Sequence, residues 1–261
     1  MIRKLQITLF ILLLSAPAFS QRWKLKRMEA YFGVGSTQVF GDIGGTISAS
    51  NLFGLKDIKF NETRLAFSLG TRYKINPHYS LRLNLGLGFG SGTDVGAKNE
   101  TRGFSYKTTI FESTVLGEYY FLQEERHRQS AALYNRRGMI NYYSTISAYA
   151  FLGTGPVFYF PKFMGVPRGE NIDKVTGYSK VGIAFPVGVG FKYLIDENWQ
   201  FGAELGRRFT TTDFIDGYSN LLYSKHSDTY YFLILSLNFR IETSRKGLPI
   251  FLDKQYRKIR N

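Results

Sequence analysis

The sequence contains no cysteine, which excludes a disulfide scaffold, lipid attachment at a cysteine and cysteine-ligated zinc. The chain has only three histidines, so few residues are candidates for histidine-based catalysis. After the first 20 residues no apolar run approaches the roughly 20 residues that a membrane-spanning helix needs. The sequence therefore predicts no membrane helix beyond its N-terminal segment.

The N-terminal segment has the pattern of a secretory signal peptide. Two basic residues precede an apolar run from Leu5 to Leu14, and small residues, Ala18 and Ser20, precede Gln21. About ten apolar residues are too few to cross a bilayer. We expect residues 1–20 to be a signal peptide and the mature chain to begin at Gln21.

Glycine and aromatic residues are abundant, with 27 glycines, 18 tyrosines and 23 phenylalanines. This composition favours an all-β fold. The net charge is +14, and it falls to +12 without Arg3 and Lys4. An excess of positive charge is typical of proteins that bind nucleic acid. We predict no nucleic-acid partner, because the charges are scattered along a chain that is expected to be exported.

Residues 79–90, YSLRLNLGLGFG, alternate bulky apolar side chains with glycine, arginine and small polar residues. This period of two is typical of a β-strand. Similar alternation recurs along the chain and predicts eight strands. They are Glu29–Val39, Thr63–Ile75, His78–Gly90, Lys107–Leu122, Tyr143–Phe160, Tyr178–Leu194, Trp199–Thr210 and Thr229–Arg240.

The connections between the predicted strands differ in length. Two of them are short, at 76–77 and at 195–198, whereas long segments follow strands one, three, five and seven. An even strand count, an apolar face and this asymmetry are typical of outer-membrane barrels. We predict that residues 21–240 form an eight-stranded antiparallel up-and-down transmembrane β-barrel with long extracellular loops. Its first partner would be the lipid bilayer of a Gram-negative outer membrane.

In this arrangement the bulky residues contact lipid and the small or charged residues point into the lumen. Eight strands leave a lumen just wide enough for side chains, so charges inside it must pair. The sequence therefore predicts a plugged barrel and a luminal network of Arg64, Arg82, Glu112, Glu118, Glu204 and Arg208. A soluble lipocalin-like barrel is the alternative, but it would expose rows of arginine and glycine. Pro186 in strand six predicts a β-bulge there.

Two segments lie outside the predicted wall. The connection Gln123–Asn141 is too long for a simple turn, and the chain continues beyond strand eight as a tail at 241–261. The tail is rich in basic residues, which are Arg245, Lys246, Lys254, Arg257, Lys258 and Arg260. Such a tail could bind an acidic partner in the periplasm or stay solvated.

Evidence for chemistry is weak. His226 in the fourth long loop lies close in sequence to Asp216, Asp228, Ser224 and Ser227, which leaves a lipid-modifying hydrolase as a minor alternative. Asp213 and Asp216 lack the further oxygen ligands of a calcium loop. We predict no catalytic residues, no metal and no cofactor.

Two stretches carry a resemblance to a known family. Residues 27–45, RMEAYFGVGSTQVFGDIGG, and residues 207–220, RRFTTTDFIDGYSN, resemble the PorG-type outer-membrane β-barrel family of Bacteroidetes. The matching positions in the first stretch are Phe40, Gly41, Asp42, Gly44 and Gly45. The late motif of the family runs Thr-Asp-aromatic-apolar-Asp-Asp; Asp213 and Asp216 match it, and Gly217 departs from it.

The resemblance implies a non-enzymatic scaffold or anchor. That family includes a component of the type IX secretion apparatus, and PorG-type barrels are thought to tie the periplasmic ring of that apparatus to the outer membrane. This role would give the basic tail and the long periplasmic connection a purpose, with secretion-system proteins as partners. A surface-binding or adhesion barrel that works through its extracellular loops is the competing hypothesis.

Overall fold

The structure is a computed structural model that describes residues 25–44, 60–96, 100–123, 146–164, 179–218, 227–244 and 247–252. The predicted signal peptide and most of the predicted tail lie outside these ranges. Within them, no helix is long and apolar enough to cross a membrane.

Eight antiparallel strands close into a barrel in sequence order, and the predicted fold class is confirmed. The described residues also form short 3₁₀ turns at Phe60–Glu62, Glu100–Arg102 and Ile250–Leu252. The strands are β1 (Met28–Phe40), β2 (Arg64–Lys74), β3 (Tyr79–Thr93), β4 (Ser105–Leu122), β5 (Ile146–Met164), β6 (Val181–Leu194), β7 (Trp199–Thr210) and β8 (Thr229–Ile241).

The stagger of the barrel follows from the strand register. A path from Met28 through directly paired residues of β2 to β8 returns to β1 at Gln38, ten residues further along. Ten residues of about 3.3 Å each, over eight strand spacings of about 4.8 Å, correspond to a strand tilt of about 40°. Each residue along a strand then advances about 2.5 Å along the barrel axis.

The two faces of the wall differ as the alternation predicts. In β3, Leu81, Leu83 and Leu85 are exposed on the outside, whereas Arg82 and Asn84 are buried inside. Rows of exposed leucine, valine and phenylalanine on every strand form an outer apolar band, which suits acyl chains and would be unfavourable in water. The barrel is therefore a transmembrane barrel rather than a lipocalin-like one.

The connections define the two ends of the barrel. Four-residue turns at 75–78 and 195–198 lie at the same end as both ends of the described chain, and the long connections lie mainly at the other. Short turns are periplasmic and long loops extracellular in outer-membrane barrels. Exposed aromatic residues surround the periplasmic end and include Tyr73, Tyr79, Tyr119, Tyr193 and Trp199.

Proline in β6 does not produce the predicted bulge. Pro186 pairs with Arg208 of β7, and the register of β6 with β5 is the same on both sides of it. The proline is accommodated by missing pairs to β5 around Thr154 rather than by an extra residue. The register irregularity that does occur lies between Tyr120 and Leu122 of β4.

Candidate functional site

A charge network fills the middle of the lumen. The Glu118 carboxylate lies 2.6 Å from Nε of Arg72 and 3.0 Å from Nε of Arg82. Glu204 on β7 contacts the same two arginines, with 3.3 Å to Arg72 and 2.5 Å to Arg82. The Tyr149 hydroxyl donates a hydrogen bond to Glu204. Five strands are thereby joined through one cluster, in which two arginines and two glutamates alternate.

A second cluster lies nearer the periplasmic end and is centred on Glu29, which is fully buried. Its carboxylate contacts Lys192 at 2.8 Å, Lys74 at 2.9 Å and Arg72 at 3.0 Å. Arg240 lies at 3.9 Å from the same carboxylate. A buried carboxylate requires paired cations, and Glu29 has four of them from β2, β6 and β8.

The third cluster lies toward the extracellular end, around Glu112 of β4. Its carboxylate pairs with Arg208 at 3.3 Å and accepts hydrogen bonds from Tyr230 at 2.7 Å and Asn84 at 3.0 Å. The Asn84 amide oxygen accepts from Tyr31 and Ser68. This cluster completes a column of paired charges along the barrel axis.

Aromatic and aliphatic side chains fill the space between the clusters. Tyr149, Phe151 and Phe232 are almost inaccessible to solvent although they point into the lumen. The guanidinium groups of Arg82 and Arg208 stack on the rings of Phe151 and Phe232, at 4.9 and 4.4 Å. A water-filled channel would expose these surfaces, so the described lumen is closed by side chains.

The predicted luminal residues can now be placed. Arg82, Glu112, Glu118, Glu204 and Arg208 all lie in the lumen and take part in ion pairs. For Arg64 the prediction is wrong: its side chain is exposed and donates hydrogen bonds to the carbonyls of Asn61 and Thr63. Arg64 belongs to the set of alternate residues in β2 that face the lumen. As the first residue of β2, however, it lies at the extracellular rim.

Sequence reasoning missed Glu29 as a luminal residue. The signal was available in β1, where Met28, Ala30, Phe32 and Val34 form the outward face and leave Glu29 on the inward one. A single acidic residue near a predicted strand end gives no other indication of burial. Its importance appears only when four cations from other strands converge on it.

At the extracellular end, loop 1 (41–63) and loop 4 (211–228) are joined by a buried carboxylate. Asp216 accepts hydrogen bonds from the backbone N–H groups of Asp42 at 2.9 Å, Ile43 at 3.3 Å and Tyr218 at 2.9 Å. Asp94 of loop 2 (94–104) accepts from the N–H of Gly44 at 3.1 Å. We name these contacts, together with Asp228, the carboxylate junction.

Asp228 completes the carboxylate junction from the start of β8. Its carboxylate accepts the N–H groups of Ile215 at 2.8 Å and Asp216 at 3.4 Å. Loop 1 passes close to both acids only because position 41 is glycine. A Cβ there would lie 2.5 Å from an oxygen of Asp216 and 2.7 Å from one of Asp228.

An apolar layer beneath the junction closes the extracellular mouth. Ile43, Phe104, Tyr106 and Ile215 are buried together, and the partly buried aromatic residues Phe163 of β5 and Phe214 and Tyr218 of loop 4 pack against them. Burial of this layer removes the junction from solvent. The mouth is therefore capped by side chains of loops 1, 2 and 4.

Burial also changes the acidity of the junction. It raises the pKa of Asp216 to about 7, and the nearby Asp42 carboxylate contributes in the same direction. Burial, and then the charge of Asp216, raise the pKa of Asp228 well above its usual value. The junction therefore holds a proton more readily than two exposed aspartates would.

Four of the residues predicted as family-motif positions meet at this junction, whereas Phe40, at the end of β1, packs against Tyr231 with 5.4 Å between the ring centres. Gly41, Asp42 and Gly44 come from loop 1, and Asp216 comes from loop 4, about 170 residues later in the chain. Gly44 has a positive φ of 93°, which favours glycine. Asp213 lies at the same loop, and Gly45 lies outside the described residues. Among the described residues, no group of three or more acidic or histidine side chains is arranged to hold a metal ion.

At the periplasmic end the chain folds back after β8. Residues 242–252, described except for 245 and 246, form what we call the rim hairpin. Its two sides are joined by an isolated antiparallel β-bridge between Thr243 and Pro249. The Thr243 N–H donates to the carbonyl of Leu25 at 2.7 Å, and its hydroxyl accepts from the N–H of Arg27 at 3.3 Å. These contacts fix the hairpin to the start of β1.

The rim hairpin displays apolar side chains. Leu248, Phe251 and Leu252 are 50%, 60% and 62% exposed, and Leu25 lies exposed beside them in the chain segment that the hairpin contacts. The predicted partner-binding residues continue from this element, but Arg245, Lys246, Lys254, Arg257, Lys258 and Arg260 all lie outside the described residues.

The minor enzymatic hypothesis depends on His226 and Ser224, which also lie outside the described residues. Ser227 is exposed, whereas Asp216 and Asp228 are occupied with backbone N–H groups of loops 1 and 4. Both acids therefore have a structural role in the described part of the chain.

No protein-family model and no curated protein matches this sequence. Solved barrels resemble it in shape. Ail, the attachment invasion locus protein of Yersinia pestis, is 14% identical, with 83% of this chain and 99% of Ail covered and a TM-score of 0.42. Neisserial surface protein A is 10% identical, with 82% and 97% covered and a TM-score of 0.43. OprG of Pseudomonas aeruginosa is 14% identical, with 84% and 98% covered and a TM-score of 0.35. Similarities this low do not extend to function.

Proposed function

We propose that this protein is a non-conducting outer-membrane barrel that anchors a periplasmic assembly to the membrane. The observation that carries the proposal is the rim hairpin, an ordered element at the periplasmic end that presents apolar side chains to its surroundings. The closed lumen supports the same role, because side chains that fill the interior leave no path for transport.

The rim hairpin has the properties of a docking element. Exposed leucine and phenylalanine are common in the cores of protein interfaces, and a basic segment follows them directly in the sequence. Basic residues would attract an acidic partner over a screening distance of about 8 Å at physiological ionic strength. The assembly that the sequence resemblance suggests is the type IX secretion machine, with its periplasmic and outer-membrane proteins as partners.

A pull-down from the periplasmic fraction tests this role. Full-length protein is compared with two variants, one with serine at Leu248, Phe251 and Leu252, and one with serine at Arg257, Lys258 and Arg260. Both variants keep all eight strands, so they should insert normally. We expect both to lose secretion-machine components from the recovered proteins, and the loss from the basic variant to resemble the effect of high salt on full-length protein.

The matched control changes exposed apolar residues at the opposite end, with serine at Phe60 and Val95, which are 90% and 67% exposed. This variant should recover the same proteins as full-length protein. Equal recovery by all four proteins would remove the rim hairpin and tail from the mechanism. Recovery of a periplasmic complex unrelated to secretion would keep the anchor and reject the type IX assignment.

A cleft at the extracellular end favours a second candidate function, binding of an external ligand. The cleft has a volume of about 500 Å³. It opens beside Arg64, the first residue of β2, because β3 extends further toward the extracellular end, to Thr93. Arg64, Lys107 and Tyr106 contribute to its lining. Two cations at the opening suit an anionic ligand such as a sulfated or carboxylated glycan.

Binding of dextran sulfate, with neutral dextran as the reference, tests this second function. Substitution of Arg64 and Lys107 by glutamine should weaken binding of dextran sulfate and leave the neutral polymer unaffected. Equal retention of both polymers by the unmodified protein would reject an anion-binding cleft.

A further inference from the structure

The outward face of the barrel carries very few charges, and all of them are positive. Among the outward-facing positions of the eight described strands, the charged residues are Lys107, Lys162 and Arg207, and none is acidic. All three lie in the extracellular half of their strands. Lys107 and Lys162 are directly paired across β4 and β5, although like charges opposite each other are unfavourable.

Arg207 occupies the most unusual of these positions, because apolar residues flank it along the wall. It lies eight residues beyond Trp199 on β7, which is about 20 Å along the barrel axis at about 2.5 Å per residue. Trp199 belongs to the periplasmic aromatic girdle, and the apolar band of such barrels is about 25 Å tall. The backbone of Arg207 therefore lies just inside the outer edge of the band.

The side chain of Arg207 is held by neighbours that also face outward. Its guanidinium carbon lies 4.9 Å from the ring centre of Phe209 and 5.5 Å from that of Tyr231. One terminal nitrogen donates to the Thr229 hydroxyl at 3.1 Å. Thr229 pairs with Phe209, two residues nearer the extracellular end, so the guanidinium points toward the outer headgroups.

The hydrogen-bonding capacity of this guanidinium is largely unused within the described part of the chain. Its Nε is buried and has no hydrogen-bond partner, and no carboxylate lies within ion-pair distance. Every luminal arginine described above is paired with a glutamate, so Arg207 differs from them in kind. An arginine without a carboxylate partner at the edge of a hydrocarbon layer is unfavourable unless an anion pairs with it. The anions available at that position are the headgroups of the membrane lipids.

We propose that Arg207, framed by Phe209, Tyr231 and Thr229, binds the phosphate-bearing headgroup of an outer-leaflet lipid. The guanidinium matches the oxygens of a phosphate and can form two parallel hydrogen bonds with it. Acyl chains of the same lipid would lie along Leu205 and Leu233 on the apolar band below. This site rests on the orientation of the barrel and is independent of the periplasmic anchor role.

Native mass spectrometry of the refolded full-length barrel, with diphosphorylated lipid A and with enzymatically dephosphorylated lipid A as probes, tests the site. We expect the phosphorylated lipid to bind at least tenfold more tightly. Arg207→Gln should abolish most of that difference, and Arg207→Lys, which keeps the charge but loses the planar fork, should have an intermediate effect. A difference in gel migration between unheated and heated samples confirms that each variant is folded.

Lys180→Gln serves as the matched control, because Lys180 is an exposed cation at the same end of the barrel, directly before β6. It should bind the phosphorylated lipid as the unmodified protein does. Equal losses in the Lys180 and Arg207 variants, or equal binding of the two lipids, would overturn the site. Displacement of the lipid by millimolar inorganic phosphate would show a free-phosphate site instead and would overturn the lipid assignment.

Discussion

At the scale of single residues, the luminal carboxylates Glu29, Glu118 and Glu204 each contact two or more cations. Glu29 contacts lysines and arginines from three strands, and Glu118 lies between Arg72 and Arg82. The cost of removing such a charge from water is offset only while its partners are present. Loss of one carboxylate therefore leaves its buried cations with one ion pair fewer and their charge less well compensated.

Replacement of Glu118 by alanine should destabilise the barrel by about 3 to 5 kcal/mol, because Arg72 and Arg82 would each lose an ion pair in the lumen. Urea unfolding of the barrel in lipid vesicles measures the change. Glu100→Ala, at an exposed position of loop 2, should shift the transition by less than about 0.5 kcal/mol. Identical midpoints for both variants would show that the network adds no stability.

Asp216 makes the extracellular mouth sensitive to pH. Its folded-state pKa of about 7 is above that of an unfolded aspartate, so the folded junction binds the proton more tightly. The contribution to stability is then full below about pH 4 and is lost as the pH rises toward 7. The contact between loops 1 and 4 should be tighter at pH 5 than at pH 8.

Hydrogen exchange at the Ile43 and Ile215 amides, expressed as protection relative to the free peptide rate, measures this effect. We expect protection to fall by up to about tenfold per pH unit between pH 5 and 7. Asp216→Asn cannot ionise and should remove much of the pH dependence. Protection that is independent of pH in the unmodified protein would contradict a proton held at the junction.

At the scale of structural elements, the two ends of the barrel are closed by different kinds of contacts. The extracellular end is closed by backbone-to-carboxylate contacts among loops 1, 2 and 4 over an apolar layer. The periplasmic end has tight turns and the rim hairpin, which is fixed to residues 25–27 by hydrogen bonds. Apolar residues are buried at the first end and displayed at the second.

This difference predicts the outcome of epitope labelling on intact cells. An epitope inserted near Asn51 in loop 1 or near Ser219 in loop 4 should be accessible, because long loops face the exterior. A tag after Asn261 should be accessible only after permeabilisation. Labelling of the C-terminal tag on intact cells would reverse the orientation of the barrel.

At the scale of the whole molecule, a stagger of ten residues over eight strands gives a narrow barrel whose interior is occupied by side chains. Burial of Tyr149, Phe151 and Phe232 in the lumen shows that little space is left for water. The molecule therefore has the properties of a rigid cylinder rather than a channel.

Purified protein in a planar bilayer should show no steady single-channel conductance. Tyr149→Ala combined with Phe151→Ala should raise the leak, because these substitutions remove two rings from the middle of the lumen. An outward-facing pair, Leu152→Ala with Leu83→Ala, provides the matched control and should remain silent. A stable, large conductance from the unmodified protein would contradict a closed lumen.

Much of this architecture can be predicted from the sequence because its signals are local. Strand count, strand direction and the two faces follow from a period of two and from alternating connection lengths, as in residues 79–90. The bounds of β7 match the prediction, and the other strands differ by at most three or four residues at an end. Inward charges such as Arg82 and Glu118 follow from the same alternation.

Only the tertiary structure decides which charges meet. The stagger of the barrel brings Glu29 of β1 to Lys192 of β6, 163 residues away, and raises Arg64 to an exposed rim despite its inward parity. The same closure brings Asp216 against Gly41 and places Arg207 beside Phe209, without a carboxylate partner among the residues that the structure describes. The sequence by itself determined the faces of the wall, since these depend on neighbours two residues apart. The partners within the lumen and at the rims were decided by register and tilt, which belong to the closed barrel and not to any single strand.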